Sequence, residues 1–230
     1  LKAKIAEYLS NKYSLTLFAN EILCLIQNPS NLHGHARRDK EMEYIIPFMR
    51  SQYWTQQMMP NVLVSEVGDN EMGITSLEKL LWYRDHVMKF SGDDYSFNPI
   101  FSLFLNPSLS VNNIKRAHEK GLVANVKYYP KGGTTNSNTG IEGFGAVQAQ
   151  LEVISELGIP LSMHGETPSI DGKCVHRDER EPVFYSREGE QLLKWYTGTI
   201  IAEHISTKEA CDFVKSYDNV YATVTPQHLL

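Results

Sequence analysis

The chain has 230 residues, 42% hydrophobic and 21% charged, with a net charge of -5. That composition suits a soluble globular protein with one large core. An acidic balance without a basic stripe argues against nucleic acid as a partner. The longest apolar stretch, residues 15–26, is broken by Asn20 and Glu21 and is too short to cross a bilayer. Cys24, Cys174 and Cys211 are far apart and odd in number, so they offer neither a disulfide framework nor a metal knuckle. A reducing cytoplasm suits them. A chain that opens on Leu1 and closes on Leu230 inside an ordered segment reads as a fragment.

Residues 1–30 read as a mostly helical extension, and residues 31–230 as one domain built from a repeating strand-helix alternation. A strand precedes His33, and a second ends in Gln57-Met58-Met59-Pro60. A helix follows over about 76–89. Thr75 and Glu78 open it at capping-box spacing, each side chain satisfying an amide that the helix leaves free. Residues 100–105 read as a buried strand, and 111–120 as a helix stopped by Gly121. Strand 122–128 is followed by a helix within 140–157 that ends before Gly158. Strand 160–164, helix 187–196, strand 199–204, helix 206–217 and strand 220–225 complete the series. Ser206 and Glu209 form a second capping-box pattern.

Such alternation implies a parallel sheet covered by helices. An open nucleotide-binding sheet would carry a glycine fingerprint at a strand-to-helix turn, which Gly132-Gly133 and Gly143-Phe144-Gly145 do not match. Polar residues instead gather at the C-terminal ends of several strands, where a barrel keeps its active site. The expected fold class is therefore α/β, a TIM (β/α)8-type barrel. It is expected to be incomplete, with seven strands where closure needs eight.

Chemistry concentrates at those strand ends. His33 and His35 are two apart, so on a strand their side chains share a face and can reach one ion. Incidental occurrence is the plainer reading of that pair alone. His164 and His204 each terminate an apolar run. Either is separately explained as a core or capping histidine, but four at three strand ends suit a zinc site of neutral imidazoles. Lys127 lies late in an apolar strand, where lysine is seldom buried without a reason. The plain explanation is that it snorkels outward or pairs with a carboxylate such as Glu166 or Glu203. The other is a desolvated, neutral amine, which beside two metal ions takes up CO2 to become a bridging carbamate.

These residues sit in motifs that resemble those of dihydroorotases of the single-function bacterial and fungal type, in the amidohydrolase superfamily. The resemblance runs over about 31–230. It rests on His33-Gly34-His35-Ala36-Arg37, Met59-Pro60-Asn61 and Lys127-Tyr128-Tyr129-Pro130 followed by Thr134-Thr135-Asn136-Ser137. His164-Gly165-Glu166, Glu203-His204-Ile205-Ser206 and Thr225-Pro226-Gln227-His228-Leu229 continue it. The first motif is common among amidohydrolases, whereas the stretch after Lys127 is specific.

The resemblance implies two Zn2+ per subunit. His33 and His35 would hold one, His164 and His204 the other, and carbamylated Lys127 would bridge them. Arg37 and Asn61 would bind the substrate carboxylate, and Thr134 and Thr135 would ride on a loop that closes over it. It implies a dihydroorotase interconverting dihydroorotate and N-carbamoyl-aspartate in pyrimidine biosynthesis, cytoplasmic, with a small-molecule substrate, no membrane or nucleic-acid partner, and a possible homodimer. The chain departs from the pattern in four places. Asn31 stands where an acid is usual and would orient an imidazole more weakly. Arg37-Arg38-Asp39 replaces the usual residues after the histidine pair. Residues 54–104 match less well and carry an insertion. The segment with the catalytic aspartate is expected beyond Leu230, which would leave these 230 residues weakly active or inactive. The alternatives are another cyclic-amide hydrolase, such as a hydantoinase or allantoinase, and a metal-binding protein without turnover.

Overall fold

The computed structural model describes residues 29–38, 40–64, 66–67, 71–92 and 97–228. The helical expectation for the N-terminal extension and the position of Cys24 lie outside them. Within them, β1 (Ser30–Gly34), β2 (Thr55–Met58), β3 (Asn98–Leu105), β4 (Asn125–Tyr128) and β5 (Leu161–Met163) pair in parallel in chain order. After an antiparallel hairpin of β6 (Ser169–Ile170) and β7 (Lys173–Cys174), the sheet resumes with β8 (Ile200–Ala202) and β9 (Val220–Ala222). The seven-stranded parallel sheet is the one the alternation implied. The small hairpin was not anticipated.

The sheet curls. Five strand spacings of about 4.8 Å would put β1 and β8 roughly 24 Å apart in a flat sheet. Yet His33 on β1 and Glu203 just beyond β8 meet at 2.7 Å. The architecture is therefore that of a TIM-type barrel. Its first and last strands, β1 and β9, are each paired on one side only among the described residues. A cavity of about 560 Å³ lies between them, lined by Ser30, Leu32, Tyr53 and residues 223–227 among others.

Helices cover the outer face. They are α1 (Lys40–Gln52), α2 (Leu77–Ser91), α3 (Val111–Glu119), α4 (Gln148–Glu156), α5 (Arg180–Phe184), α6 (Glu190–Leu193) and α7 (Lys208–Ser216). Two caps fall one residue later than expected. Ser76, not Thr75, caps α2 by accepting from the Lys79 amide at 3.2 Å, and Thr207, not Ser206, caps α7. Adjacent hydroxyls are equally competent acceptors, and the one at which the backbone turns takes the role. Helix 187–196 also begins earlier than expected. α5 starts at Arg180, with Pro182 tolerated in its first turn, and a π turn over Tyr185–Gly189 joins it to α6. Gly121 and Gly158 follow α3 and α4 at φ 65° and 67°, the left-handed stops that glycine supplies.

Alternation splits each strand between two environments. Val126, Tyr128, Leu161, Met163, Ile200 and Ala202 join the apolar core under the helices. The intervening residues face the barrel axis, and many are polar: Gln57, Ser102, Lys127 and Ser162 are all buried. Gly165 leaves room for the Tyr185 ring of that apolar core. A Cβ there would lie 2.5 Å from Tyr185 Cζ, and Tyr185 is 1% exposed and cannot retreat. Gly165→Ala is expected to cost about 1–3 kcal/mol by overpacking. An unchanged urea midpoint in that variant would show that the ring yields freely.

Candidate metal centre

Glu203 occupies the regular inward position after β8, since Ile200 and Ala202 face outward. His204 would then point away. It adopts φ 46° instead, a left-handed conformation costly for a residue with a side chain. Its amide donates to Thr223 Oγ1 at 2.9 Å, and its ring returns to the inner side. Ring centroids there lie 5.1 Å from His33 and 4.6 Å from His164. His35 extends the row, 5.3 Å from His33. All four rings line one cavity of about 260 Å³, together with Asn61, Tyr129, Thr134, Glu166, Thr225, Gln227 and His228.

Lys127 is fully buried and is not among the residues that line this cavity. Its Nζ contacts the Glu203 carboxylate, the plain pairing among the two readings of the sequence. Glu203 also meets His33 Nδ1 at 2.7 Å and Gln57 Nε2 at 3.4 Å. Burial holds the Lys127 amine below its usual value even with that partner. Burial pushes the Glu203 carboxyl up, but Lys127 and the His33 hydrogen bond outweigh it and hold it down at about 2.

Asn31 does not orient an imidazole as expected. Its Oδ1 accepts from the backbone amide of His33 at 3.0 Å, and the ring is held by Glu203. Arg37 is exposed, with φ 59°, and faces an adjoining cavity of about 230 Å³ shared with His35, Asn61 and Asn136. Asn61 is buried and already engaged. Its amide donates to the Thr135 carbonyl at 3.0 Å, and its Oδ1 accepts from Tyr129 at 3.1 Å. It therefore ties down the loop after β4. Thr134 reaches the main cavity, whereas the exposed Thr135 offers Asn61 its carbonyl.

The rings suit a cation. Burial, then the neighbouring His33, Arg37 and Lys127, lowers His35 to about 4. Burial, then Lys127 and the other histidines, lowers His204 to about 2, and burial lowers His164 as well. These three are neutral near pH 7 and keep a lone pair for coordination. His164 Nε2 is buried without an aligned hydrogen bond, although Glu166 Oε1 lies 3.3 Å away. A buried polar atom of that kind calls for a partner. His33, Glu203 and His204 place candidate ligand atoms within 4.8 Å of one another. The donor set therefore fits a metal of zinc type. Glu203 and Gln57 were not singled out as site residues from the sequence. The period of two ending in Ile200 and Ala202 was the available signal for Glu203.

No family model matches the chain. A dihydroorotase of Ruegeria sp. (strain TM1040) is 32% identical over 207 residues, 89% of this chain and 57% of that protein. One of Methylobacillus flagellatus is 33% identical over the same shares. The crystal structure of the Campylobacter jejuni dihydroorotase superposes with a TM-score of 0.74 at 30% identity, over 88% of this chain and 55% of that one. The chain thus spans a little over half the length of the relatives it matches.

Proposed function

From the premise that this chain belongs with the dihydroorotases of the amidohydrolase superfamily, we propose that it carries the metal centre and part of the substrate site of a zinc-dependent dihydroorotase. The observation that carries the reading is the single cavity shared by His33, His35, His164 and His204 at the C-terminal ends of the strands. His33 and His35 would hold one Zn2+ and His164 and His204 another, with Lys127, as a carbamate, between them. When bound, such ions make a water nucleophilic near neutral pH and polarise a carbonyl.

The chain's own residues do the rest. Dihydroorotate would enter with its carboxylate toward Arg37, whose planar fork matches it. Asn61 would exchange its bond to the Thr135 carbonyl for the same carboxylate, so that substrate entry releases the loop carrying Thr134. That loop, refolded over the ring, would exclude bulk water. Water adds to the ring amide carbon, the C–N bond breaks, and the ring nitrogen takes a proton to give N-carbamoyl-aspartate. Biosynthesis runs the reverse condensation. The described residues include no carboxylate assigned to that proton, a lack worth roughly 10²–10⁴-fold in rate, so the 230 residues by themselves are expected to turn over slowly. A reducing, cytoplasmic setting suits the free Cys174 and Cys211. Among the described residues no helix is long and apolar enough to cross a membrane.

Binding tests the proposal without relying on turnover. The purified chain, supplied with zinc and bicarbonate, is expected to retain two zinc equivalents on metal analysis. In calorimetry it should bind dihydroorotate in preference to hydantoin and allantoin. Retention of less than one equivalent, or preference for either competitor, would refute it. Full zinc uptake with no affinity for any of the three would favour the non-catalytic metal-binding alternative.

A further inference from the structure

Glu203 sits where three inner-layer side chains meet. It is 1% exposed, contacts Lys127 Nζ, and lies 2.7 Å from His33 Nδ1 and 3.4 Å from Gln57 Nε2. A carboxylate accepts and does not donate, so the short contact to His33 requires the ring's proton on Nδ1. That leaves Nε2 as the nitrogen with a free lone pair. Asn31, from the same strand, accepts from the His33 backbone amide, whereas the carboxylate on the ring is that of Glu203.

We propose that Glu203 is a positioning residue of the metal centre: it fixes the tautomer and orientation of His33 across the barrel and so presents Nε2 as the ligand atom. The inference rests on the metal reading of the cavity. β1 and β8 are not neighbours in the sheet, so a contact between them through the axis locks the first ligand to the strand that delivers His204. A carboxylate behind a ligating imidazole also raises the ring's basicity toward a cation. The competing role for Glu203 is that of a counter-ion to Lys127 alone.

Two variants separate these roles. Glu203→Gln keeps an acceptor oxygen for His33 but loses the charge, and Glu203→Met keeps the volume and loses both. Nitrogen NMR of the histidine side chains in metal-free protein is expected to show His33 protonated on Nδ1 in the parent and in E203Q. The proton should redistribute toward Nε2 in E203M. Zinc affinity, measured by competition with a chromophoric chelator, should fall about 10–100-fold in E203M and distinctly less in E203Q. Equal losses in the two variants would assign Glu203 to Lys127 and overturn the proposal, as would a parent His33 protonated on Nε2. Should E203M fail to fold by near-ultraviolet circular dichroism, Glu203→Asp, one methylene too short to span the axis, replaces it with the same expectation. A parent chain that takes up no zinc would sink the metal reading. Zinc uptake with the wrong His33 tautomer would sink the role of Glu203 alone.

Discussion

Replacing Lys127 with methionine is expected to destabilise the metal-free protein by about 3–5 kcal/mol and to abolish most zinc retention. The stem of Lys127 is fully enclosed and its amine contacts Glu203, itself 1% exposed. Methionine preserves the packing of the stem, so the loss isolates the charge. The cost comes from what remains: a carboxylate in the barrel interior with only the His33 and Gln57 contacts to stabilise it. The pair as a whole contributes much less than the single replacement suggests, because burying two charges offsets most of their attraction. The double variant K127M/E203Q should therefore recover most of the lost stability. It should not recover zinc, because a thioether cannot form a carbamate and the proposed bridge is gone. Urea unfolding and metal analysis on the same samples measure both effects. A K127M chain that retains two zinc equivalents would remove the bridge from the mechanism. A double variant no more stable than K127M would show that Glu203 was not left uncompensated.

That coupling also explains what the sequence made legible. The order of strands could be read because each apolar run is bounded by a glycine stop, a cap or a proline, as at Gly121 and Gly158. The residue types at the strand ends could be read because four histidines and a lysine have few reasons to recur there. Two features could not. One is which of two adjacent hydroxyls caps a helix, Thr75 or Ser76, Ser206 or Thr207, since the choice follows the backbone turn and not the residue type. The other is the positive φ of His204. Strict alternation would send either Glu203 or His204 inward, and only the left-handed turn lets both enter. With that turn unseen, Glu203 reads as a carboxylate for Lys127 and not as a partner of His33. Its link to His33 spans 170 residues of sequence, and no local pattern records a contact of that range. Asn61 is a related case. Its motif suggests substrate contact, while the fold shows it already engaged by Tyr129 and the Thr135 carbonyl.

Mild acid is expected to unfold the metal-free protein well before its carboxylates titrate. His35 is lowered to about 4 and His204 to about 2, and His164 is lowered too, in each case chiefly by burial. In the unfolded chain each would titrate near 6.5. Below that pH the unfolded state binds protons that the fold refuses, so stability falls as pH falls. The contribution is fully present above 6.5 and is lost progressively toward the folded values. Each imidazole removes up to about 1.4 kcal/mol per pH unit, so His35 and His204 together remove roughly 3 kcal/mol between pH 7.5 and 5.5, and His164 adds to the loss in the same direction. Domains of this size commonly have about 5–15 kcal/mol in hand, which makes that loss decisive. Glu203 does not compensate. Its pKa is held down at about 2, so its contribution is present above the usual carboxylate range and disappears only in much stronger acid. His35→Asn should flatten the slope by nearly one proton, because the amide cannot take up the charge in either state. Zinc should delay the transition by holding the rings neutral in the fold, and should steepen it once protons begin to displace the metal. Urea titrations at successive pH values, with and without zinc, give the slope directly. Stability that stays level between pH 7.5 and 5.5 in the metal-free protein would mean that these rings already take up protons in the fold, and the neutral histidine cluster would have to be abandoned.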